Sequence, residues 1–255
     1  MKNKIKNISI IIPVLNEEEN IVNLLNEIKT NLYNKIGYEV VVVDDGSTDG
    51  TIKNIKKILK NHSCLKLVAH KKNYGQSFSL RTGIINSKYD YIVTLDGDGQ
   101  NDPSNILDLI NYYKNNIPFF LVIGNRKKRN DTFARRVASR GAFFVRRLIL
   151  NDNVPDTGCA LKLFKKQEFL YLPFFNHLHR FLPFLFLTMG GKVISINVNH
   201  RIRKSGVSKY SNLQRALVGI YDLFGVIWLR KRTQSSIVIK EICESTKNKR
   251  GKYGN

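Results

Sequence analysis

Asp96-Gly97-Asp98-Gly99-Gln100 is the segment of this 255-residue chain best equipped for chemistry. Two carboxylates two residues apart, beside glycines that let the backbone turn tightly, can offer oxygens to Mg²⁺ or Mn²⁺ together with substrate phosphates. Gln100 adds a neutral oxygen. Three more polar clusters stand upstream: Pro13-Val14-Leu15-Asn16-Glu17, Asp44-Asp45-Gly46-Ser47, and Asn73-Tyr74-Gly75 with Arg81 shortly after. Carboxylates gathered in one place repel each other unless a cation or a ligand's donors neutralise them. Each cluster alone is a weak signal, because D-x-D arises by chance and Asp-Gly is ordinary turn chemistry. Asp44-Asp45-Gly46-Ser47 also suits a turn with a helix cap, or the acidic pair of a receiver-type pocket. The glycine loops of dehydrogenases and P-loop NTPases are absent where they would be needed.

Each cluster follows a run that suits a strand: residues 8–14, 39–43, 65–69 and 91–95, with a further run at 119–123. Between them lie helical stripes: Ile21, Leu24, Leu25, Ile28 and Leu32, then Ile52, Ile55, Ile58 and Leu59. Ser47, Thr48 and Asp49 are candidate caps for the second helix, and Pro103 suits the first turn of a helix through Tyr113. This alternation predicts an α/β fold, a mostly parallel sheet with helices on both faces. Ligands of such sheets bind beyond the carboxyl ends of the strands, where all four clusters fall.

Charge separates the two halves. The chain carries +22 overall. Residues 1–110 hold 14 basic and 13 acidic side chains, whereas residues 111–255 hold 28 and 7. Before Arg126 the only arginine is Arg81. Such an excess points to a polyanionic partner for the second half: nucleic acid, an anionic membrane surface or a phosphate-bearing substrate. Residues 132–150 and 213–229 have the pattern of helices lying in a membrane interface, although packing on a core gives the same pattern. The longest apolar stretches, near 181–189 and 216–229, fall short of the ~20 residues that span a bilayer. No basic–apolar–small leader opens the sequence. Cys64, Cys159 and Cys243 have neither disulfide nor zinc spacing, which fits a reducing compartment.

Together, and in this order, the clusters resemble family 2 glycosyltransferases with a GT-A type, Rossmann-like domain. More narrowly, the chain resembles the polyprenyl-phosphate (dolichyl-phosphate mannosyltransferase-like) branch, over roughly residues 7–232. The general segments are Ile-Pro-Val-Leu-Asn-Glu (12–17), Val-Val-Asp-Asp-Gly-Ser-Thr-Asp (42–49), Asn-Tyr-Gly-Gln (73–76) and Leu-Asp-Gly-Asp-Gly-Gln-Asn-Asp-Pro (95–103). Asp-Thr-Gly-Cys (156–159), His-Arg-Phe-Leu-Pro (179–183) and His-Arg-Ile-Arg-Lys-Ser-Gly-Val-Ser-Lys-Tyr (200–210) carry the narrower resemblance.

The resemblance implies a nucleotide diphosphate sugar as donor. Pro13, Asn16, Glu17, Asp44 and Asp45 would contact its base and ribose, with Asn73 and Arg81 nearby. Asp96, Asp98 and Gln100 would surround Mg²⁺ or Mn²⁺ on the diphosphate. Arg126 stands where a Gly-Ser-Arg arginine is usual, with Asn125 in place of the serine, and is a candidate phosphate ligand. Arg201, Arg203, Ser208 and Lys209 would close over phosphates of donor or acceptor, and His179-Arg180 is a candidate contact for an acceptor phosphate or a headgroup. Ala160-Leu161-Lys162 replaces a frequent Gly-Phe-Arg. The expected layout is one domain over 1–232 with a polar tail, 233–255. Within the domain, about 1–125 would bind the donor, and about 126–232 the acceptor and the cytoplasmic face of a membrane.

A lipid-phosphate acceptor is already largely ionised near neutral pH, with a second pKa of ~6, and needs positioning rather than a strong base. A hydroxyl acceptor needs a carboxylate base, and Asp156 is the residue to nominate. The expected reaction is inverting transfer of one sugar to polyprenyl phosphate. The alternatives are transfer to a hydroxyl acceptor and, from another class, a basic nucleic-acid-binding protein whose acidic clusters are only caps and turns. Nucleic acid is not the expected partner.

Overall fold

β1 (Asn7–Val14) and β2 (Gly37–Asp44) run parallel, in register from Asn7 opposite Gly37 to Val14 opposite Asp44. Their apolar runs are continuous because both faces are covered. Ile8, Ile10 and Ile12 with Val40 and Val42 point into one core, and Ile11 with Val41 and Val43 into the other. The computed structural model describes residues 5–60, 62–126, 154–201 and 212–232. Within them, β3 (Leu65–Ala69) pairs with β2, and β4 (Tyr91–Thr94) lies parallel on the other side of β1. β5 (Phe120–Arg126) does not continue that series. β6 (Lys162–Lys165) inserts between β4 and β5, antiparallel to both, and β7 (Lys192–Val198) closes the sheet parallel to β5. The order is β3-β2-β1-β4-β6-β5-β7.

Helices cover both faces. α1 (Ile21–Leu32), α2 (Thr51–Leu59) and α4 (Ile106–Tyr112) bury Leu24, Ile55 and Leu109 in the first core. α3 (Gln76–Ile85), α5 (Lys166–Tyr171), α6 (Leu178–Thr188) and α7 (Asn212–Arg232) bury Ile84, Phe169, Phe186 and Val226 in the second. All five residues of the first predicted stripe are buried. The second rotates part of its stripe outward: Ile55 is buried, while Ile58 and Leu59 only lean on the core. Asp49 caps α2 from just outside it, accepting the Thr51 N–H at 3.0 Å. Pro103 opens a 3₁₀ turn, Pro103–Asn105, that leads into α4, with Asp102 accepting the Ser104 N–H at 3.0 Å.

β6 and β7 fall where no strand was expected. β6 has four residues and begins and ends in lysine, too short and too basic to stand out from a loop. The expected helix at 132–150 and the tail at 233–255 lie outside the described residues. Among the described residues no helix is long and apolar enough to cross a membrane.

Candidate active site

The clusters meet at the carboxyl edge of β1, β2 and β4. The loop after β4 folds against the end of β1: a Cβ on Gly97 would stand 2.6 Å from Val14 Cγ1 and 3.3 Å from the Pro13 carbonyl. Any larger residue between the two aspartates would hold that loop off the strand. Gly99 takes the left-handed conformation (φ 71°), and the Gln100 N–H returns to Asp98 at 3.1 Å. Asp96 is half-buried and accepts from Gln76 Nε2 at 2.8 Å. Burial pushes its carboxyl up to about 7, and the charge of Asp98 pushes the same way, against the pull of Lys162 and Arg126. Gln100 turns its amide nitrogen toward the Arg201 carbonyl at 3.4 Å. Arg201 is half-exposed and pairs with Glu27 of α1 and, at 3.1 Å, with Asp102.

The other loops lock to one another. Asn16, left-handed at φ 52°, receives the Thr48 N–H and sends its own N–H to Ser47 Oγ, both at 2.8 Å. Glu17 is buried, accepts from Asn20 and donates its N–H to Thr51 Oγ1 at 2.9 Å. Asp45 is a hub: the N–H groups of Tyr74 (2.9 Å) and Gly75 (2.8 Å) and His70 Nδ1 (2.7 Å) converge on its carboxylate. His70 then reaches Thr82 at 3.0 Å. Both Asp45 oxygens are thus engaged in holding residues 74 and 75, and Asn73 itself is exposed. Asp44 differs: Oδ2 receives Gly46 and Ser47, but its buried Oδ1 has no donor among the described residues. Pro13 stays in β1, half-buried, and Arg81 lies over the Phe174 ring at 4.6 Å.

We expect Asp45→Ala to strand two backbone donors and lose about 2–4 kcal/mol of stability in chemical denaturation. Asp45→Asn, which still offers an acceptor, loses less. An Asp45→Ala protein with unchanged stability but weakened donor binding would mean that the carboxylate serves the ligand and not the loop.

A second group lies behind Asp96. Arg126 and Asp156 make a two-pronged pair, Nε to Oδ2 at 2.6 Å and Nη2 to Oδ1 at 2.8 Å. Burial works against the guanidinium's charge, but the bonds and charge of Asp156 outweigh it and hold the group above its ordinary value. Lys162 is buried beside them, its ammonium donating to the Cys159 carbonyl, and burial pulls its pKa down. Lys162, Asp96, Gln76, His179 and Arg180 line one cavity of about 390 Å³, a size suited to small ligands. His179 Nδ1 lies 2.8 Å from Ser77 Oγ. Burial first, then the charges of Lys162 and Arg180, push the His179 pKa well below its ordinary value, so the ring is neutral at physiological pH.

Of the expected residues, Asp96, His179 and Arg180 are in the cavity wall, while Asp98, Arg126 and Arg201 are not part of it. Arg203, Ser208 and Lys209 lie outside the described residues. Gln76 and Lys162 were not expected as site residues. Gln76 stands in a quoted segment without a role, and Lys162 shows only as a departure from Gly-Phe-Arg. Its burial depends on β6 lying next to β4, which no local pattern announces.

This geometry has relatives. The model of glycosyl transferase family 2 matches residues 9–170. Dodecaprenyl-phosphate galacturonate synthase of Rhizobium johnstonii is 29% identical over 229 residues, 88% of this chain and 67% of that protein. Undecaprenyl-phosphate 4-deoxy-4-formamido-L-arabinose transferase of Pectobacterium atrosepticum is 32% identical over 228 residues, 88% of this chain and 68% of that one. Glucosyl-3-phosphoglycerate synthase of Mycobacterium tuberculosis, solved with Mn²⁺, uridine diphosphate and phosphoglyceric acid, superposes with a TM-score of 0.66 at 18% identity. That match covers 88% of this chain and 78% of the other, and it supports the GT-A fold. Sheet order, the acidic loop after β4 and a family match running from β1 through β6 converge on one conclusion: the chain belongs to glycosyl transferase family 2.

Proposed function

We propose that the protein transfers a single sugar, with inversion, from a nucleotide diphosphate sugar to polyprenyl phosphate. The observation that carries this is the cavity lined by Asp96 together with Lys162 and Arg180. The carboxylate suits the donor's cation, and the basic side chains suit an anionic acceptor. The names of the relatives point to the same acceptor class.

A divalent cation fits Asp96 and Asp98. No group of three or more His, Cys, Asp or Glu side chains able to hold a metal occurs among the described residues. Mg²⁺ and Mn²⁺ are commonly held by one or two carboxylates with substrate phosphates completing the shell, which is the arrangement this pair allows. The charge of Asp98 raises the cost of ionising Asp96, and a cation would remove that cost. When bound, the metal supplies positive charge to the departing nucleoside diphosphate.

On the donor side, Asp44 Oδ1 is the acceptor left for a ribose hydroxyl or base N–H, with Pro13, Asn16 and Glu17 shaping the edge around it. On the acceptor side, Lys162 and Arg180 neutralise the phosphate and His179 offers a neutral ring nitrogen. A phosphate oxygen attacks the anomeric carbon from the face opposite the leaving group. The bond from that carbon to the diphosphate breaks, and the electron pair leaves with the nucleoside diphosphate. No side chain must remove a proton, in keeping with Asp156 being spent on Arg126. On this reading residues up to about 125 serve the donor and later ones the acceptor, at the cytoplasmic face of a membrane.

The test is incubation with Mg²⁺ or Mn²⁺, polyprenyl phosphate and a panel of nucleotide sugars, followed by mass spectrometry. The expected product is a lipid-linked sugar phosphate. Turnover with hydroxyl acceptors alone overturns the lipid reading.

A further inference from the structure

α7 presents two unlike faces. Val226 is buried in the second core, with Leu223, Ile227 and Leu229 leaning on the same cluster. Tyr221, Phe224 and Trp228, spaced by three and four residues, share the opposite side and are 82%, 69% and 62% exposed. Three large aromatic side chains aligned and uncovered among the described residues are far from what a solvated surface needs. One turn beyond Trp228, at the same spacing, stand Lys231 and Arg232, both exposed. An aromatic stripe that runs into cations on its own face matches a lipid interface. There, rings settle at headgroup depth and long basic side chains reach out to the phosphates. The net charge of +22 favours an anionic surface.

The helix is also tied to the candidate active site. Asp222 of α7 meets His177 Nδ1 at 2.8 Å, and His177 immediately precedes α6, whose first turn carries His179 and Arg180 into the cavity wall.

We propose that the outward face of α7, with Tyr221, Phe224, Trp228, Lys231 and Arg232, is the surface by which the protein seats on an anionic lipid bilayer. A membrane seat beside the cavity brings a lipid-borne phosphate to Lys162 and Arg180. The proposal rests on the lipid-phosphate reading of the acceptor, and binding is measured apart from turnover so that the two fail separately.

Trp228 is the only tryptophan in the chain, so the protein carries its own reporter. The full chain is titrated with vesicles of phosphatidylglycerol and phosphatidylcholine, and with phosphatidylcholine alone. With the anionic vesicles Trp228 emission shifts to the blue, is quenched by lipids brominated on the acyl chain, and recovers as salt is raised. Lys231→Gln with Arg232→Gln weakens partitioning on the order of 25-fold, from roughly fivefold per charge near the surface. Tyr221→Ser with Phe224→Ser abolishes the shift. These side chains lie outside the core, so an unchanged melting curve separates lost binding from lost folding.

An emission that ignores vesicles overturns the seat, including the case in which the protein still sediments with them through another surface. An emission shift that instead tracks protein concentration without lipid overturns it in favour of a second copy of the chain. Intact vesicle binding with no transfer to polyprenyl phosphate leaves the seat standing and sinks the acceptor reading. Transfer to that lipid with α7 variants that bind vesicles like the parent does the reverse.

Discussion

Asp98→Ala is expected to cut metal-dependent turnover by about 10²–10³-fold or more, the scale on which removing one stabilising partner of a developing charge acts. The fold should not notice. Asp98 is half-exposed, and its recorded partner is the N–H of Gln100 two residues on, so its loss costs a local turn and no core contact. Asp96→Asn should be as severe for turnover, with the Gln76 bond available to hold the amide in place. In both variants the concentration of Mg²⁺ or Mn²⁺ needed for half-maximal rate should rise, and chelation should silence the parent enzyme. The contrary result is wild-type turnover in Asp98→Ala. That outcome would reduce the acidic loop to turn chemistry, as the nucleic-acid alternative requires.

The largest effect on stability is expected at Asp156. Asp156→Ala leaves the partly buried Arg126 guanidinium without its two-pronged partner, and breaking a buried pair from one side costs about 3–5 kcal/mol. For a chain of this size that corresponds to a fall in Tm of roughly 10 °C. Replacing both together, as Arg126→Met with Asp156→Leu, should recover much of the loss, because the penalty comes from the stranded charge. The same position separates the two acceptor classes. Asp156→Asn keeps the shape of the pair and should retain turnover with a lipid phosphate, since no base is asked of it. If Asp156 were the base for a hydroxyl acceptor, the asparagine enzyme would fold normally and be dead across the whole pH range.

What could be read from residue order was the part built by local pattern. The five strands of the first half each follow an apolar run, and the helix stripe from Ile21 to Leu32 is buried as its spacing requires. The acidic loop was legible only in company: alone, two aspartates among glycines are ordinary turn chemistry, and their weight came from following a strand in order with three other polar clusters. Lys162 was not, because its neighbours come from pairing across the sheet: Thr94 opposite Lys162 joins residues 68 apart in the chain. Asp45 was legible as polar but not as a hub. A carboxylate that ties a loop and one that binds a ribose look identical until the N–H groups of Tyr74 and Gly75 are seen to converge on it. The sides of α7 follow from spacing alone, but which side faces inward depends on the second core, which Val226 joins.

The antiparallel strand β6 also sets the order in which the molecule can be built. β5 ends at Arg126, yet its recorded strand partners, β6 and β7, are both made later. When the ribosome has released the loops after β1, β2 and β4, β5 still has no strand beside it and β4 has an open flank. An open strand edge is an invitation to pair with another chain. The nascent protein therefore passes through a stage at which the loops after β1 and β2 can form while the sheet beneath them is unfinished. Only the arrival of residues 162–165 zips the two halves together, and the same four residues bring Lys162 beside Asp96. Closing the sheet and completing the charge balance of the site are one event, so a chain stalled before it would be exposed to aggregation and unable to act.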